Sequence, residues 1–268
     1  MSNSPTKFRP LLKWPGGKRS LINDILPLFP ETFSRYFEPF VGGGAVFFSL
    51  LPTRATLSDT DPDLINCYIQ VRDSPRRVIA TLSKLENSES AYYEIRSRKP
   101  RTEIGRAARL IYLVTLAFNG IYRINSAGKF NVPYGHKTHL DVCDKERIYQ
   151  ASAALAGVTL QCADFESVVI SARKGDLVYL DPPYTVAHSN NGFVKYNAKI
   201  FSWCDQERLA RVARELSARG CKVVISNADH ESIRDLYHDF TMKRVHRPSN
   251  ISANVGARSR ITECIFYR

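Results

Sequence analysis

Short apolar runs that end at turn residues recur in the first and last parts of the chain, and each predicts a buried β-strand. Segments with helical periodicity lie between several of these apolar runs, and a glycine turn lies at 42–44. Because strands that alternate with helices form parallel sheets, the pattern predicts an α/β fold with a nucleotide-site layout at that turn. The predicted helices are 21–26, 45–51 and 205–218, and the predicted strands are 36–37, 55–58, 158–161, 177–180 and 222–226, with an antiparallel pair at 240–245 and 260–266 around a basic loop.

The segment 66–149 has a different pattern, in which arginines crowd into helical periodicity. Its best helix begins at a Thr102 cap and ends at Asn119-Gly120, a favourable stop. The chain then turns at 126–129 and returns, which predicts a β-hairpin with Ile121 and Arg123 on one face. We therefore expect 1–65 and 150–268 to form one α/β domain and 66–149 to form a mainly helical inserted domain.

Lysine and arginine outnumber aspartate and glutamate by 38 to 26 among the 268 residues, which gives a formal charge of +12. Such a surface favours a polyanionic partner, although charge alone does not separate nucleic acid from an acidic membrane. No apolar run approaches the roughly 20 residues of a membrane span, and residues 1–10 lack the apolar core of a signal peptide. We therefore expect a soluble, cytoplasmic protein without a membrane partner.

The six cysteines are scattered without a Cys-x-x-Cys pair, which argues against a disulfide framework and against a thiolate zinc site. His136, His139 and Cys143 have a spacing that could bind zinc, but no fourth ligand lies near them in the sequence. The favoured interpretation is loop residues around a turn. We expect no metal site.

The motif with the most chemical content is Asp181-Pro182-Pro183-Tyr184, which directly follows the apolar run 177–180. An aromatic exocyclic amine such as N6 of adenine is a poor nucleophile because its lone pair is delocalised into the ring. The Asp181 carboxylate and a carbonyl at the Pro-Pro step are two acceptors for its hydrogens. Tyr184 offers a π-face for a base taken out of the duplex, worth about 1 to 3 kcal/mol. The alternative is an ordinary strand end, since Asp-Pro and Pro-Pro are turn dipeptides.

Two glycine turns precede this motif. The first is Lys13-Trp14-Pro15-Gly16-Gly17-Lys18, and the second is Gly42-Gly43-Gly44, which follows Glu38-Pro39-Phe40-Val41. Glycines let a backbone approach a ligand closely. Asp59 ends the next strand 17 residues beyond Gly42, and an acidic residue near that distance commonly holds a ribose. For Trp14, simple packing and contact with a cofactor fit the local sequence equally well.

Three other functions fit part of this pattern. A nicotinamide oxidoreductase would need glycine where Phe47 stands in its G-x-G-x-x-G fingerprint. A metal nuclease could use Asp59, Asp61 and Asp181 as ligands, but Pro-Pro-Tyr would have no role there. A non-catalytic DNA-binding module would explain the charge and the hairpin, but it leaves the glycine turns unexplained.

Taken in order, these motifs resemble those of the DNA adenine-N6 methyltransferases, in particular the branch that methylates GATC. The resemblance covers nearly the whole chain and includes Asp164-Phe165. It implies a Rossmann-like methyltransferase sheet, with catalysis in 1–65 and 150–268 and target recognition in 66–149. It also implies adenine rather than cytosine N4 as the acceptor, because aspartate rather than serine precedes Pro-Pro-Tyr.

The resemblance further implies S-adenosylmethionine as the methyl donor. By position, Trp14 and Lys18 would line its methionine end, Asp59 would hold its ribose, and Asp164 with Phe165 would contact its adenine ring. The implied catalytic residues are Asp181, Pro182 and Tyr184. The implied cofactor-binding residues are Trp14, Gly17, Lys18, Glu38, Phe40, Gly42, Gly44, Asp59, Asp164, Phe165 and Asp181.

The 118–133 segment is similar to the one that reads GATC in that family. Arg123 has the donors for guanine O6 and N7, and Ile121 and Pro133 can contact a thymine methyl. Phe118 would insert where the flipped adenine has left the stack, but it stands where tyrosine is frequent, so another short target is the alternative to GATC. The implied partner is double-stranded DNA, bound by a monomer through Lys13, Phe118, Asn119, Ile121, Arg123 and Pro133.

Overall fold

Seven strands form one mixed sheet in the order β3-β2-β1-β4-β5-β7-β6 in a computed structural model that describes residues 10–125, 127–187, 201–248 and 260–268. Parallel pairing joins β1 to β2, β1 to β4 and β4 to β5, whereas β7 runs antiparallel between β5 and β6. The predicted Rossmann-like α/β sheet is confirmed. The strands are β1 (Tyr36–Glu38), β2 (Ala55–Asp59), β3 (Thr159–Cys162), β4 (Leu177–Leu180), β5 (Lys222–Ala228), β6 (Thr241–Pro248) and β7 (Arg260–Tyr267).

Ten α-helices lie in the described ranges, several of them with side-chain caps. Thr102 accepts from the backbone N–H of Gly105 at the start of α6, as predicted. Ser202 and Asp205 form a reciprocal capping box, so α9 begins two residues before the predicted start at 205. The helices are α1 (Ile22–Ile25), α2 (Ala45–Leu50), α3 (Pro62–Asp73), α4 (Pro75–Leu82), α5 (Glu89–Ser97), α6 (Glu103–Leu116), α7 (Lys145–Ala154), α8 (Phe165–Val169), α9 (Trp203–Ala218) and α10 (Glu231–Leu236).

Two predicted elements have a different form. The helix expected at 21–26 is a short α1 between two 3₁₀ turns, because Pro27 in the second turn lacks the N–H that a continuing helix needs. The chain reverses where the hairpin was predicted, and its two arms pair through isolated antiparallel bridges, Ile124 with Phe130 and Ala117 with Tyr134, rather than through regular strands. The Asn125 side chain accepts from the backbone N–H groups of Ala127 and Lys129, and these bonds fix the turn between the two arms. Ser126 and the loop 249–259 lie outside the described residues.

The chain divides into two compact units. The first comprises the described part of Met1–Gly17 together with Val41–Leu51 and Ser58–Cys162. Its core is helical, since α3 packs on α6 and on α7, and α4 packs on α6. Tyr68, Tyr92 and Tyr112 are fully buried there.

The second unit comprises Lys18–Phe40, Pro52–Leu57 and Ala163–Arg268. Its apolar core joins α9 to both the central and the last strands, with Val178, Leu209, Val223 and Phe266 among its buried members. All four residues of β4 are buried, so the backbone that leads into Asp181 is held rigidly.

The predicted division into 1–65 with 150–268 and an inserted 66–149 concerns functional domains and stays a prediction. None of the described helices is long and apolar enough to cross a membrane.

Candidate active site

Asp181 stands at the carboxyl end of β4, the edge at which open α/β sheets bind ligands. Its Oδ1 lies 2.8 Å from Nζ of Lys18. The lysine side chain is only 3% exposed, while that of Asp181 is 16% exposed. Lys18 and Asp181, both in the second unit, therefore form a buried ion pair, and Asp181 keeps a path to solvent. A buried ammonium of this kind is retained only where carboxylates compensate it.

Tyr184 is held by a second carboxylate. Its hydroxyl donates to Oε2 of Glu263 at 2.6 Å, and the Lys18 Nζ lies 4.7 Å from the centre of the Tyr184 ring. Burial, followed by the charges of Asp181 and Glu263, raises the pKa of the Tyr184 phenol well above its ordinary value. The phenol therefore stays protonated and acts as a hydrogen-bond donor, which fixes the plane of the ring.

The backbone of the motif is held by two buried amides. The Gln206 side chain, on α9, donates to the Pro183 carbonyl at 3.2 Å. Its own carbonyl accepts from the Asn227 side chain, on β5, at 3.0 Å. Both amides are fully buried. This chain of hydrogen bonds ties the Pro-Pro step to the core.

Glu38 ends β1 in the same unit and is almost completely buried. It accepts from the Tyr36 hydroxyl at 2.8 Å. Burial raises the pKa of the Tyr179 phenol well above its ordinary value, and the charges of Asp181, Glu38 and Glu263 raise it further. Three carboxylates, two of them near the Lys18 ammonium, therefore act on one buried tyrosine.

Asp164 and Phe165, the predicted contacts for an adenine ring, both interact with Arg208 in the second unit. Both oxygens of the Asp164 carboxylate accept from the Arg208 guanidinium, at 2.9 and 2.8 Å. The same guanidinium lies 4.3 Å from the centre of the Phe165 ring, and Phe40 stacks on that ring at 5.4 Å. Phe165 is 2% exposed. The ring thus belongs to the core, and Asp164 presents the polar atoms.

In the first unit, Trp14 packs on the second glycine turn. A Cβ at Gly42 would lie 2.9 Å from Cδ1 of Trp14, and the φ of Gly42 is +46°, so only glycine fits there. The other neighbour of the indole is Tyr122, whose ring is stacked on it with centroids 4.1 Å apart. The two motifs that the sequence separates by about 25 residues are therefore in contact.

Asp59 lies beside this turn. One oxygen of its carboxylate accepts from the Gly42 N–H at 3.1 Å, and the other accepts from the Asp61 N–H at 3.0 Å. Burial raises the pKa of Asp59 to about 6, although these two hydrogen bonds oppose the shift. Asp61 in turn caps α3 and accepts from the Tyr122 hydroxyl at 2.7 Å. Asp59, the predicted ribose ligand, is thus connected through Asp61 to Tyr122. Tyr122 lies in 118–133, the predicted recognition segment.

The predicted DNA-binding residues lie on the exposed surface of the first unit. Nζ of Lys13 donates to the Asn119 carbonyl, which joins the first glycine turn to the recognition segment. Phe118 is 48% exposed and Ile121 is 37% exposed. Asn131 accepts from Nε of Arg123 at 2.8 Å, and this bond orients an exposed guanidinium. Lys13, Phe118, Asn119, Ile121, Arg123 and Pro133 are all exposed.

An acidic, partly open carboxylate, a fixed aromatic ring and an exposed basic and aromatic segment are suited to chemistry on a base of DNA. The sequence profile of the D12 class N6 adenine-specific DNA methyltransferases matches residues 14–251. The chain belongs to this family.

Curated relatives agree with this assignment over nearly their full length. The chain is 38% identical to the type II methyltransferase M1.LlaDCHI of Lactococcus lactis subsp. cremoris, over 99% of this chain and 97% of the relative. It is 35% identical to the DNA adenine methylase of Haemophilus influenzae, over 97% of this chain and 93% of the relative. It is 34% identical to the type II methyltransferase M.MjaIII of Methanocaldococcus jannaschii, over 89% of this chain and 91% of the relative. The protein is thus an enzyme that methylates N6 of adenine in DNA, and this activity requires a methyl donor.

Sequence reasoning about this D12-class chain missed Glu263, Gln206, Asn227 and Tyr122. Glu263 lies in the otherwise mostly apolar run at 261–267, and a charge inside a predicted strand is the only signal that could have drawn attention to it. The two amides carry no motif at all. Tyr122 lies inside the recognition segment, but its contacts with Trp14 and Asp61 follow from the fold.

Proposed function

We propose that this adenine-N6 DNA methyltransferase uses S-adenosylmethionine, flips its target adenine out of the duplex, and acts within GATC. The observation that carries the proposal is the placement of the Asp181 motif. It stands at the carboxyl end of a fully buried strand, with its aspartate partly open and its tyrosine fixed.

The residues present fit this methyl donor. In the second unit, the partly open Asp181 carboxylate at the end of β4 and the Glu38 carboxylate at the end of the neighbouring β1 favour a molecule that carries a sulfonium and an ammonium. In the first unit, the Asp59 carboxylate suits ribose hydroxyls, and the turn that Gly42 forms under Trp14 has the close backbone that such a site needs. Trp14, Gly17, Lys18, Glu38, Gly42, Gly44, Asp59 and Asp164 would hold it, with Phe40 and Phe165 as packing behind them. When bound, it supplies an electrophilic methyl group, so the enzyme needs no covalent intermediate.

The chain's own residues make the amine reactive. The Asp181 carboxylate and the Pro182 carbonyl accept the two hydrogens of N6, which returns its lone pair from the ring to the nitrogen. The Tyr184 ring stacks on the flipped adenine, and the bond to Glu263 keeps that ring in place. The rate enhancement therefore comes from the placement of the adenine and from electrostatic stabilisation of the transition state.

The recognition segment would read the target. Arg123 can donate two hydrogen bonds to a guanine, and Ile121 and Pro133 can contact a thymine methyl. Exposed Phe118 would fill the gap that the flipped adenine leaves, and Lys13 with Asn119 would complete the contact. The resemblance of 118–133 to the segment that reads GATC favours this target, and relatives named type II methyltransferase make another short target the alternative.

DNA as the substrate follows from the family, and we propose that it is double-stranded DNA, which the formal charge of +12 suits. We propose that the enzyme acts on this DNA as a monomer, in the cytoplasm, where bacterial and phage DNA lie.

Substitution of Asp181 tests the reaction chemistry. We expect Asp181→Ala to lose methyl transfer, because one of the two acceptors for N6 is gone, while its affinity for duplex DNA stays unchanged. Asp181→Asn is the matched control for shape, since it keeps an acceptor oxygen without the charge. The measurement is labelled methyl transfer to plasmid DNA beside DNA binding. Normal turnover in Asp181→Ala would sink the assignment.

A further inference from the structure

Glu263 is a carboxylate inside the sheet that no motif accounts for. It lies on β7, paired with Ala228 of β5 on one side and Val245 of β6 on the other. Its side chain is 1% exposed. A carboxylate is costly to bury unless hydrogen bonds and an opposite charge compensate it. The interactions that keep it there therefore indicate its role.

Two interactions of Glu263 lead into the site described above. Oε2 accepts from the Tyr184 hydroxyl at 2.6 Å, a short, charge-assisted bond. The same oxygen lies 3.8 Å from the Nζ of Lys18, which contacts Asp181 at 2.8 Å. Lys18 thus stands between two carboxylates and is closer to Asp181.

This arrangement matters because Asp181 has two tasks in the proposed function. It is a counter-ion for Lys18, and it must also accept a hydrogen of the target amine. Glu263 offers the ammonium a second carboxylate, so Lys18 remains compensated when Asp181 turns towards the amine. The bond to Tyr184 adds a second task, since it holds the ring on which the base stacks.

We propose that Glu263 is a positioning residue for methyl transfer: it fixes the phenol of Tyr184 and shares Lys18 with Asp181. The inference rests on the proposed function of the Asp181 motif. Glu263 touches neither the amine nor the methyl group in this proposal, and it acts through Tyr184 and Lys18. Its loss should therefore lower turnover more than it weakens substrate binding.

The test compares Glu263→Gln, Tyr184→Phe and the double variant in the full-length enzyme. Glutamine keeps the volume and an acceptor but removes the charge, and phenylalanine keeps the stacking ring but removes the donor. We expect each single change to lower kcat by about 10- to 100-fold, as the loss of one charge-assisted bond predicts. KM for DNA should stay near the wild-type value, and the double variant should be little worse than the poorer single variant.

Asp176→Asn is the matched control, because Asp176 is a fully buried carboxylate at the other end of the β4 region, paired with Arg35 at 2.6 Å. It should lower Tm and leave the kcat of folded enzyme unchanged. A lower Tm with wild-type kcat in Glu263→Gln, or multiplied losses in the double variant, would overturn the inference. If Glu263→Gln does not fold, Tyr184→Phe decides, and an unchanged kcat there overturns it. Wild-type enzyme without any transfer to adenine would instead refute the proposed function.

Discussion

Single residues carry the pH dependence expected of this enzyme. Burial raises the pKa of Asp59 from 3.8 to about 6. A carboxyl whose pKa is raised on folding stabilises the fold in its protonated form, and that contribution is lost as the pH rises through about 6. The charged form that would accept ribose hydroxyls therefore predominates only above this pH.

We predict that S-adenosylmethionine binds more weakly as the pH falls from 7 to 5, with about a tenfold loss one unit below the pKa of Asp59. Binding can be followed calorimetrically, with circular dichroism to show that the fold persists at each pH. Asp59→Asn is the control, since its affinity should be low and nearly independent of pH in this range. A flat profile for the wild-type enzyme would contradict the role of Asp59.

At the same scale, the positions of Asp181 and Asp59 at strand ends and the positions of the glycine turns could be predicted from the sequence. Asp181, Asp59 and the glycine turns have a spacing that reflects a local strand-to-turn geometry. Glu263 could not, because its partner Tyr184 is 79 residues away in the sequence and only the sheet brings them together. The burial of Phe165 under Arg208 is likewise set by how α8 and α9 pack.

At the scale of elements, the predicted recognition segment, 118–133, reverses as expected but pairs through isolated antiparallel bridges instead of regular strands. Its α6 helix ends at Leu116 because Ala117 adopts an extended ψ of 150°, and Asn119 then adopts a φ of 53°. Asparagine tolerates this left-handed conformation better than most residues. Periodicity predicted the helix and the reversal, but side-chain hydrogen bonds of Asn125 set the turn, and periodicity does not report them.

If 118–133 reads the target, Arg123→Ala should change the sequence specificity of the enzyme. The variant should lose about 1 to 3 kcal/mol at one base pair and relax specificity there, because a bidentate contact to guanine is gone. The measurement is a set of binding or methylation assays on duplexes changed at one position at a time. Lys129→Ala is the matched control, because it removes one exposed charge from the same turn and should weaken binding to all sequences alike. Uniform weakening by Arg123→Ala as well would refute its role as a base reader.

At the scale of the whole molecule, the alternation of strands and helices predicted the sheet, and the order of its parallel strands is that of a doubly wound fold. The antiparallel pairing of β6 with β7 was predicted and is confirmed, but the position of β7 between β5 and β6 was not, because the hydrophobic pattern does not give the spatial order of strands. The family profile matches residues 14–251, a range that includes motifs of both compact units.

The most direct test of the account is a map of methylated bases in plasmid DNA treated with the purified enzyme and S-adenosylmethionine. We predict N6-methyladenine in GATC and nowhere else, with a matching switch in cleavage by nucleases that require or refuse methylated GATC. N6-methyladenine in another short sequence would contradict the target and leave the reaction standing. No methylated adenine at all, from folded enzyme that binds DNA, would contradict the account of the Asp181 motif.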